Sequence, residues 1–251
     1  MNNYVIGESF TLPSNGEVYD FSVNSEIKLR SMTTNEEMKR LNRGERPYKV
    51  MADIIDDCLV IKPGISSYDM CIGDYQFLLH RLRSVTYGPE YSLACTCPLC
   101  MAVTEDVINI DAMGVNKFSP EIKKYLEFDL PRSKNHIEIR LQTPRMIDDV
   151  ALQVKDFKKR APNYVGDSAI LFTVKNLIKT VDNERPNSLE LEEWIQALPM
   201  MDTNYILKCA QKANDFIGVD TTLNVTCDVC GLDYTAPFRI TSEFFGPSVQ
   251  L

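Results

Sequence analysis

Four cysteines stand in two matched pairs, and their type and spacing indicate metal chemistry. Cys97 and Cys100 form the pair in "CPLC", and Cys227 and Cys230 form the pair in "CDVCG". In a zinc knuckle the chain turns tightly so that two nearby thiolates face one metal ion, while backbone amides of the turn stabilise their negative charge. The proline within the first pair and the glycine after the second suit such turns. The pattern predicts a tetrahedral site of four thiolates that binds one structural zinc ion.

The separation between the two pairs is unusual. About 126 residues lie between Cys100 and Cys227, whereas the common arrangement has about 15 to 20 residues between pairs. If the pairs meet, the intervening chain is an insertion closed at its base by the metal. Structural zinc contributes on the order of 10 kcal/mol to folding, so such a site would matter for stability.

Other uses of thiols stay open beside this one. The four cysteines could be small buried hydrophobes, or either pair could be a thioredoxin-like redox centre, although neither pair stands between a strand and a helix. We expect Cys95 to pack on one face of a strand rather than to bind metal. Core packing is expected for the remaining three cysteines, Cys58, Cys71 and Cys209.

Strand-like segments flank both knuckles. "EYSLAC" and "TLNVTC" precede them, and "TEDVINI" and "DYTAPFRI" follow. Strand, knuckle and strand in succession are typical of a zinc ribbon, here split between two distant parts of the chain.

The predicted fold class is α+β, with three parts. Residues 1–92 form an N-terminal strand-and-helix module. Residues 93–112 plus 219–251 form the split zinc ribbon with a C-terminal tail that keeps strand-like alternation. Residues 113–218 form a large, mainly helical insertion that begins with a hairpin.

Turn and capping residues predict the elements of these parts. In the N-terminal module they are a hairpin over Glu8 to Val23 around "PSNG", a strand over Glu26 to Met32, a helix from Thr33 or Thr34, and helices over Tyr48 to Val60 and Asp74 to Val85 before Gly88. In the insertion they are a hairpin over Glu127 to Thr143 and four helices, which begin at Pro144, after Asp167, after Asn187 or Ser188, and after Asp202.

Catalytic patterns are missing from the sequence. The two histidines, His80 and His136, do not fall into the order of a catalytic triad. There is no glycine-rich phosphate loop, no H-E-x-x-H motif and no paired-carboxylate signature. The sequence therefore predicts a protein that is not an enzyme and has no small-molecule substrate.

Charge and hydropathy restrict the compartment and the partners. The net charge is -8, which opposes a broad nucleic-acid footprint because phosphate binding needs clustered lysine and arginine. A zinc-ribbon regulator that binds nucleic acid is the alternative function, but no lysine or arginine lies in residues 95–106 or 227–238. No export signal or run of about 18 apolar residues occurs, so we expect no membrane partner and a reducing cytoplasm.

Three aromatic residues are candidates for binding other proteins. Trp194 shares a helical stripe with apolar neighbours, and Phe244 and Phe245 lie near the C-terminus. Aromatic side chains dominate binding hot spots, although core packing is the simpler role for each of them.

Several segments together resemble a known family. They are "FTLPSNGEVY", "IKLRSMTTNEEMKRL", "CIGDYQFLLHRLRSVTYGPEY" leading into "CTCPLC", and "CDVCGLDY". This order of motifs is similar to that of the base plate proteins of T-even-type contractile phages, which comprise baseplate hub subunits and hub-assembly proteins. The resemblance covers about the first 110 residues and the last 30 or so.

The resemblance implies a non-enzymatic phage protein that acts in building the tail baseplate. Its partners would be other baseplate hub or tail proteins. It would be found in the host cytoplasm during assembly and, as a retained component, in the virion tail.

Overall fold

The structure, a computed structural model, describes residues 7–246 apart from positions 43, 239 and 241. The described part contains both helices and strands, in line with the predicted α+β class. The predicted N-terminal module and C-terminal tail also include residues 1–6 and 247–251, which lie outside the described residues.

The helices of the described part are α1 (Thr34–Leu41), α2 (Pro47–Cys58), α3 (Ile72–Tyr87), α4 (Lys123–Leu126), α5 (Pro144–Arg160), α6 (Ala169–Leu177), α7 (Ser188–Ala197) and α8 (Met200–Asp215). Short 3-10 helices occupy Ile110–Ala112, Pro120–Ile122 and Ser242–Phe245. None of the described helices is long and apolar enough to cross a membrane.

The strands of the described part are β1 (Gly7–Thr11), β2 (Glu26–Arg30), β3 (Leu59–Ile61), β4 (Glu90–Thr96), β5 (Val103–Asn109), β6 (Val115–Asn116), β7 (Glu127–Asp129), β8 (His136–Ile139), β9 (Ile178–Val181), β10 (Gly218–Val219), β11 (Thr222–Thr226) and β12 (Asp233–Pro237).

The first sheet has the antiparallel order β1-β2-β3, and it corrects the predicted hairpin over Glu8 to Val23. β1 pairs instead with β2. The turn signal is real, because Asn15 and Gly16 adopt φ of 52° and 80°. Ser14, however, donates its N–H and its hydroxyl to the buried carboxylate of Asp74. The loop is held against α3, so the chain does not return directly along β1.

Capping explains the limits of the first helices. Thr33 and Glu36 form the capping box that the sequence predicts for α1. A 2.9 Å ion pair with Arg30 also holds the pKa of Glu36 at about 2. α3 extends to Tyr87, two residues beyond the predicted end, and Gly88, with a φ of 89°, caps it. α2 stops at Cys58, earlier than predicted, because the next three residues pair with β2 as β3.

α3 is the central helix of the first hydrophobic core. Most of its residues are buried, including the polar Asp74, His80 and Arg83, so the helix is enclosed on most sides rather than along one stripe. Its core partners come from β1, β2, α2 and the C-terminal residues. The fully buried aliphatic side chains of this core include Ile27, Leu29, Ile54, Ile55, Met70, Leu78 and Leu82.

The two ends of residues 113–218, the predicted insertion, run side by side. β6 and β10 form an antiparallel pair with Asn116 opposite Gly218. Next to this pair, Asp220 donates its N–H to the carbonyl of Gly114 at 2.8 Å. Within the insertion, a three-stranded antiparallel sheet of order β7-β8-β9 packs with α6, α7 and α8 around a second hydrophobic core.

Two helices of the insertion differ from the prediction. The helix predicted through residue 181 ends at Leu177, because Ile178–Val181 pairs with β8 as strand β9. α8 begins at Met200, before the expected cap. The carboxylate of Asp202 instead accepts hydrogen bonds from Arg132 and Ser133 in the hairpin turn, at 2.8 Å each. The residue that resembles a cap therefore anchors a distant turn.

Other helix starts in the insertion match the sequence. Thr143 caps α5 through its side chain, and Asn187 forms a capping box with Glu190 at α7. The strand-like structure predicted for the C-terminal tail, by contrast, is wrong at Ser242–Phe245, which form a 3-10 helix.

A carboxylate from the insertion caps a helix of the N-terminal part. Arg46, at the start of α2, makes no side-chain capping bond. Asp148 on α5 accepts instead from the N–H of Lys49 at 3.0 Å and from the hydroxyl of Tyr68 at 3.1 Å. Asp148 is buried, so it fixes α5 against α2 at a site that excludes water.

Two glycines allow the closest backbone approach between α3 and the returning chain. A Cβ on Gly73 would lie 2.1 Å from the carbonyl oxygen of Ile217, and one on Gly218 would lie 2.7 Å from the Cα of Gly73. Both distances are far below van der Waals contact, so only glycine fits at this crossing.

We predict that Gly73→Ala lowers the free energy of unfolding by about 3 kcal/mol, because backbone rather than a flexible side chain must move. Chemical denaturation of the purified protein measures this. Gly114→Ala is the control, since its Cβ would meet only Asp220 Cβ at 3.6 Å. Equal stability of both variants would contradict the proposed close approach.

Candidate metal centre

Two β-hairpins bring the cysteine pairs together. In the first hairpin β4 pairs with β5, with Glu90 opposite Asn109 at one end and Thr96 opposite Val103 at the other. In the second, β11 pairs with β12, and Thr226 is opposite Asp233 next to the turn. Each hairpin ends in one C-x-x-C turn, as the flanking strand patterns predict.

The two turns have the same backbone hydrogen bonds. Cys97 donates its N–H to Ala102 at 2.8 Å and accepts at its carbonyl from Met101 at 3.0 Å. Cys227 and Gly231 make the equivalent bonds in the second turn. The residue after each pair has a positive φ, 60° at Met101 and 71° at Gly231. The glycine was recognisable in the sequence, whereas Met101 gave no signal because methionine seldom adopts this conformation.

The four sulfur atoms form a compact cluster. Cys97 Sγ lies 3.7 Å from Cys230 Sγ, and Cys100 Sγ lies 3.6 Å from Cys227 Sγ. All four sulfurs lie within 4.8 Å of one another. A tetrahedron with Zn–S bonds of about 2.3 Å has S–S edges of about 3.8 Å, whereas a disulfide needs about 2.05 Å. The cluster has the dimensions of a metal site and not of a disulfide pair.

Backbone amides favour the thiolate form of the first cysteine in each turn. Cys97 accepts from the N–H groups of Cys100 and Leu99, which lowers the pKa of the Cys97 thiol. The same two positions in the second turn lower the pKa of Cys227 to about 6. Hydrogen bonds to the charged form explain both shifts.

The thiol pKa of the second cysteine in each turn is shifted in the opposite direction, upward. The N–H of the residue two positions further along also lowers the pKa of these thiols, but partial loss of hydration around the sulfur and the neighbouring thiols outweigh it. The pKa of Cys100 is raised, and that of Cys230 is raised to about 12. Four thiolates this close repel one another, and a bound dication relieves that repulsion.

The cluster lies at the surface. Cys97 and Cys227 are buried, and Cys100 and Cys230 are exposed, so a metal ion could enter from solvent. Cys95 is buried outside the cluster, opposite Thr104 in the ladder. The three other cysteines are each buried in a hydrophobic core, namely Cys58, Cys71 and Cys209.

The C-terminal aromatics lie inside the protein. Phe244 is 0% exposed and Phe245 is 4% exposed. Phe244 stacks edge-on against His80, with ring centroids 5.4 Å apart. Its carbonyl accepts from the buried guanidinium of Arg83 at 2.7 Å. These contacts place the pair in the core rather than on a free tail, which argues against a docking role for them.

Trp194 is only partly buried. Its helical neighbours Leu191 and Ile195 belong to the second core, and Trp194 packs against that core. Its role in partner binding stays a prediction.

A comparison with protein families gives one match. The family described as T4 bacteriophage base plate protein matches residues 6–246, nearly the whole chain. Neither the curated proteins nor the solved structures gave a match. The matched range includes both C-x-x-C turns and the whole insertion between them. The chain therefore belongs to the T4 bacteriophage base plate protein family.

Proposed function

We propose that this chain is a non-enzymatic component or assembly factor of the central hub of a phage tail baseplate, and that a structural zinc ion stabilises it. Membership of the base plate family supports the place in the baseplate. The cluster of four cysteine sulfurs supports the zinc ion. The two halves are independent, because the family match says nothing about metal.

The proposed role of zinc is to join two chain segments that are far apart in sequence. Cys97 and Cys100 would supply one half of the coordination sphere, and Cys227 and Cys230 the other. In this proposal the paired hairpins form a split zinc ribbon at residues 93–112 and 219–251, and the helical part at 113–218 is held at its base. A closed shell of four thiolates leaves no position for water or substrate, so the metal would be structural.

We predict that the purified protein holds one zinc ion per chain. Replacing Cys97 or Cys230 by Ser should remove the metal and lower the free energy of unfolding by at least about 3 kcal/mol. Elemental analysis and denaturation measure the two effects.

Cys95→Ser is the matched control, because this nearby thiol lies outside the cluster. It should keep its metal. A wild-type preparation that lacks metal yet melts at the full temperature would rule out the structural zinc.

Thiol-redox chemistry is the weaker use of the same residues. Redox pairs of the thioredoxin type lie at a helix N-terminus, which favours the thiolate. Here each C-x-x-C turn joins two strands. Sulfur contacts of 3.7 and 3.6 Å also join the two turns to each other.

Nucleic-acid binding is the other alternative, and the charge of the hairpins opposes it. The hairpins carry Glu105, Asp106, Asp228 and Asp233 in or near their turns, and no lysine or arginine lies between residues 95 and 106 or between 227 and 238. We predict no binding to DNA or RNA tighter than about 10⁻⁶ M at physiological salt, the range of weak nonspecific binding. Fluorescence anisotropy at that salt decides it, and submicromolar affinity would favour the regulator.

The place of the chain in assembly is open to direct measurement. We predict that it sediments with baseplate intermediates from infected cells. Quantitative mass spectrometry of purified virions then separates the two forms of the proposal, since a component persists in the virion and an assembly factor does not. Absence from every tail intermediate and from the virion would contradict both.

A further inference from the structure

Large apolar side chains crowd the outer side of the cysteine turns. Leu99 is 69% exposed, Met101 70%, Val103 65% and Val229 73%. We call these four residues the knuckle patch. Single exposed apolar residues are normal, but a group on adjoining turns is typical of an interaction site.

The two turns adjoin because their sulfurs form one cluster. Leu99 lies between Cys97 and Cys100, and Val229 lies between Cys227 and Cys230. Since the four sulfurs are within 4.8 Å of one another, Leu99 and Val229 both lie next to the sulfur cluster, one on each turn.

Backbone hydrogen bonds fix how the patch is presented. The N–H of Met101 donates to the carbonyl of Cys97 at 3.0 Å, and the N–H of Gly231 donates to the carbonyl of Cys227 at 2.8 Å. Leu99 and Val229 lie inside these closed turns, and their side chains are exposed. A surface fixed in this way loses little conformational entropy on binding.

Strand alternation adds Val103 to the same exposed surface. Thr104, the next residue, is buried, and so is Cys95 opposite it. Val103 pairs with Thr96 on the outer face of the hairpin, where both residues are exposed. The inner face packs within the protein, and the outer face is left for solvent or a partner.

The acidic residues near the knuckle patch indicate which kind of partner surface would fit it. Residues 95–106 and 227–238, which contain both turns and the strand ends beside them, carry four acidic side chains and no lysine or arginine. The acids are Glu105, Asp106, Asp228 and Asp233. A second copy of this surface would be repelled by the same charge, and so would nucleic acid. An apolar protein surface edged by lysine and arginine is complementary.

We propose that the knuckle patch docks onto such a basic-rimmed apolar surface of another baseplate protein. This inference rests on the proposed baseplate function and specifies its interface. It places the contact on the cysteine turns, away from Trp194 on the insertion.

Site-specific photo-crosslinking in infected cells tests this. The full-length chain carries p-benzoylphenylalanine in place of Leu99 or, separately, Val229. The control carries it in place of Val165, an apolar residue that is 99% exposed on the insertion. Cross-linked peptides are identified by mass spectrometry, and zinc content and far-UV circular dichroism check each variant.

The expected result is that positions 99 and 229 capture the same segment of one baseplate protein, apolar and flanked by lysine or arginine, while position 165 does not. Leu99→Ser with Val229→Ser should lower recovery of that partner at least about tenfold, as loss of a hot spot does. Val165→Ser should leave recovery unchanged. Recovery with the wild-type chain should also fall as salt is raised, because the rim contact is electrostatic.

Other outcomes overturn the proposal. Capture of a second copy of this chain, or of unrelated proteins at all three positions, rules out the stated partner. If the chain still sediments with baseplate intermediates while positions 99 and 229 capture no more than position 165, the interface is wrong and the baseplate function stands. If the chain is missing from those intermediates, the function itself fails.

Discussion

The antiparallel pairing of β6 with β10 is the constraint on which the rest of the structure depends. These two-residue strands hold residues 115–116 against 218–219, so the chain must return to the point it left. Such a short ladder is weak alone. It is supported by the glycine crossing at Gly73 and Gly218, and the two segments also meet at the cluster of four cysteine sulfurs. Closing a long loop has a large entropic cost, and several contacts near the closure share it.

Buried carboxylates connect the parts that this closure brings together. Asp74 binds the loop at Ser14, Asp148 caps α2 from α5, and Asp202 holds a hairpin turn. Each accepts backbone N–H groups from an element distant in sequence. Losing such a partner leaves a buried charge unsatisfied, so these links specify geometry more strictly than apolar contacts do.

Local signals in the sequence predicted much of the fold. The capping boxes at Thr33 and Asn187 and the stop at Gly88 are local, because the residues that make the bonds are neighbours in the chain. The sequence also predicted that the four cysteines form one cluster, because two identical C-x-x-C pairs with strand-like flanks indicate one shared site whatever their separation.

The predictions failed where a residue distant in sequence determines the local structure. Asp202 has the form of a cap, but its hydrogen bonds go to a turn about 70 residues away. Residues 178–181 continue a helical pattern, yet pairing with β8 makes them a strand. Phe244 and Phe245 sit near a chain end, yet Arg83 and His80 hold Phe244 inside. The residues around each of these segments give no sign of which distant residues they contact.

The split of the cysteine cluster has a consequence for biosynthesis. The first two thiols emerge from the ribosome before the second two, and at about 5 to 20 residues per second the delay is roughly 6 to 25 seconds. During that time only half of the cysteine cluster is present, and β6 has no β10 to pair with. The first hydrophobic core is likewise incomplete until Phe238 and Phe244 arrive. Until residues 218–244 have been synthesised, the nascent chain therefore lacks the second thiol pair, the partner strand of β6 and part of the first core, and the first core cannot be completed before then.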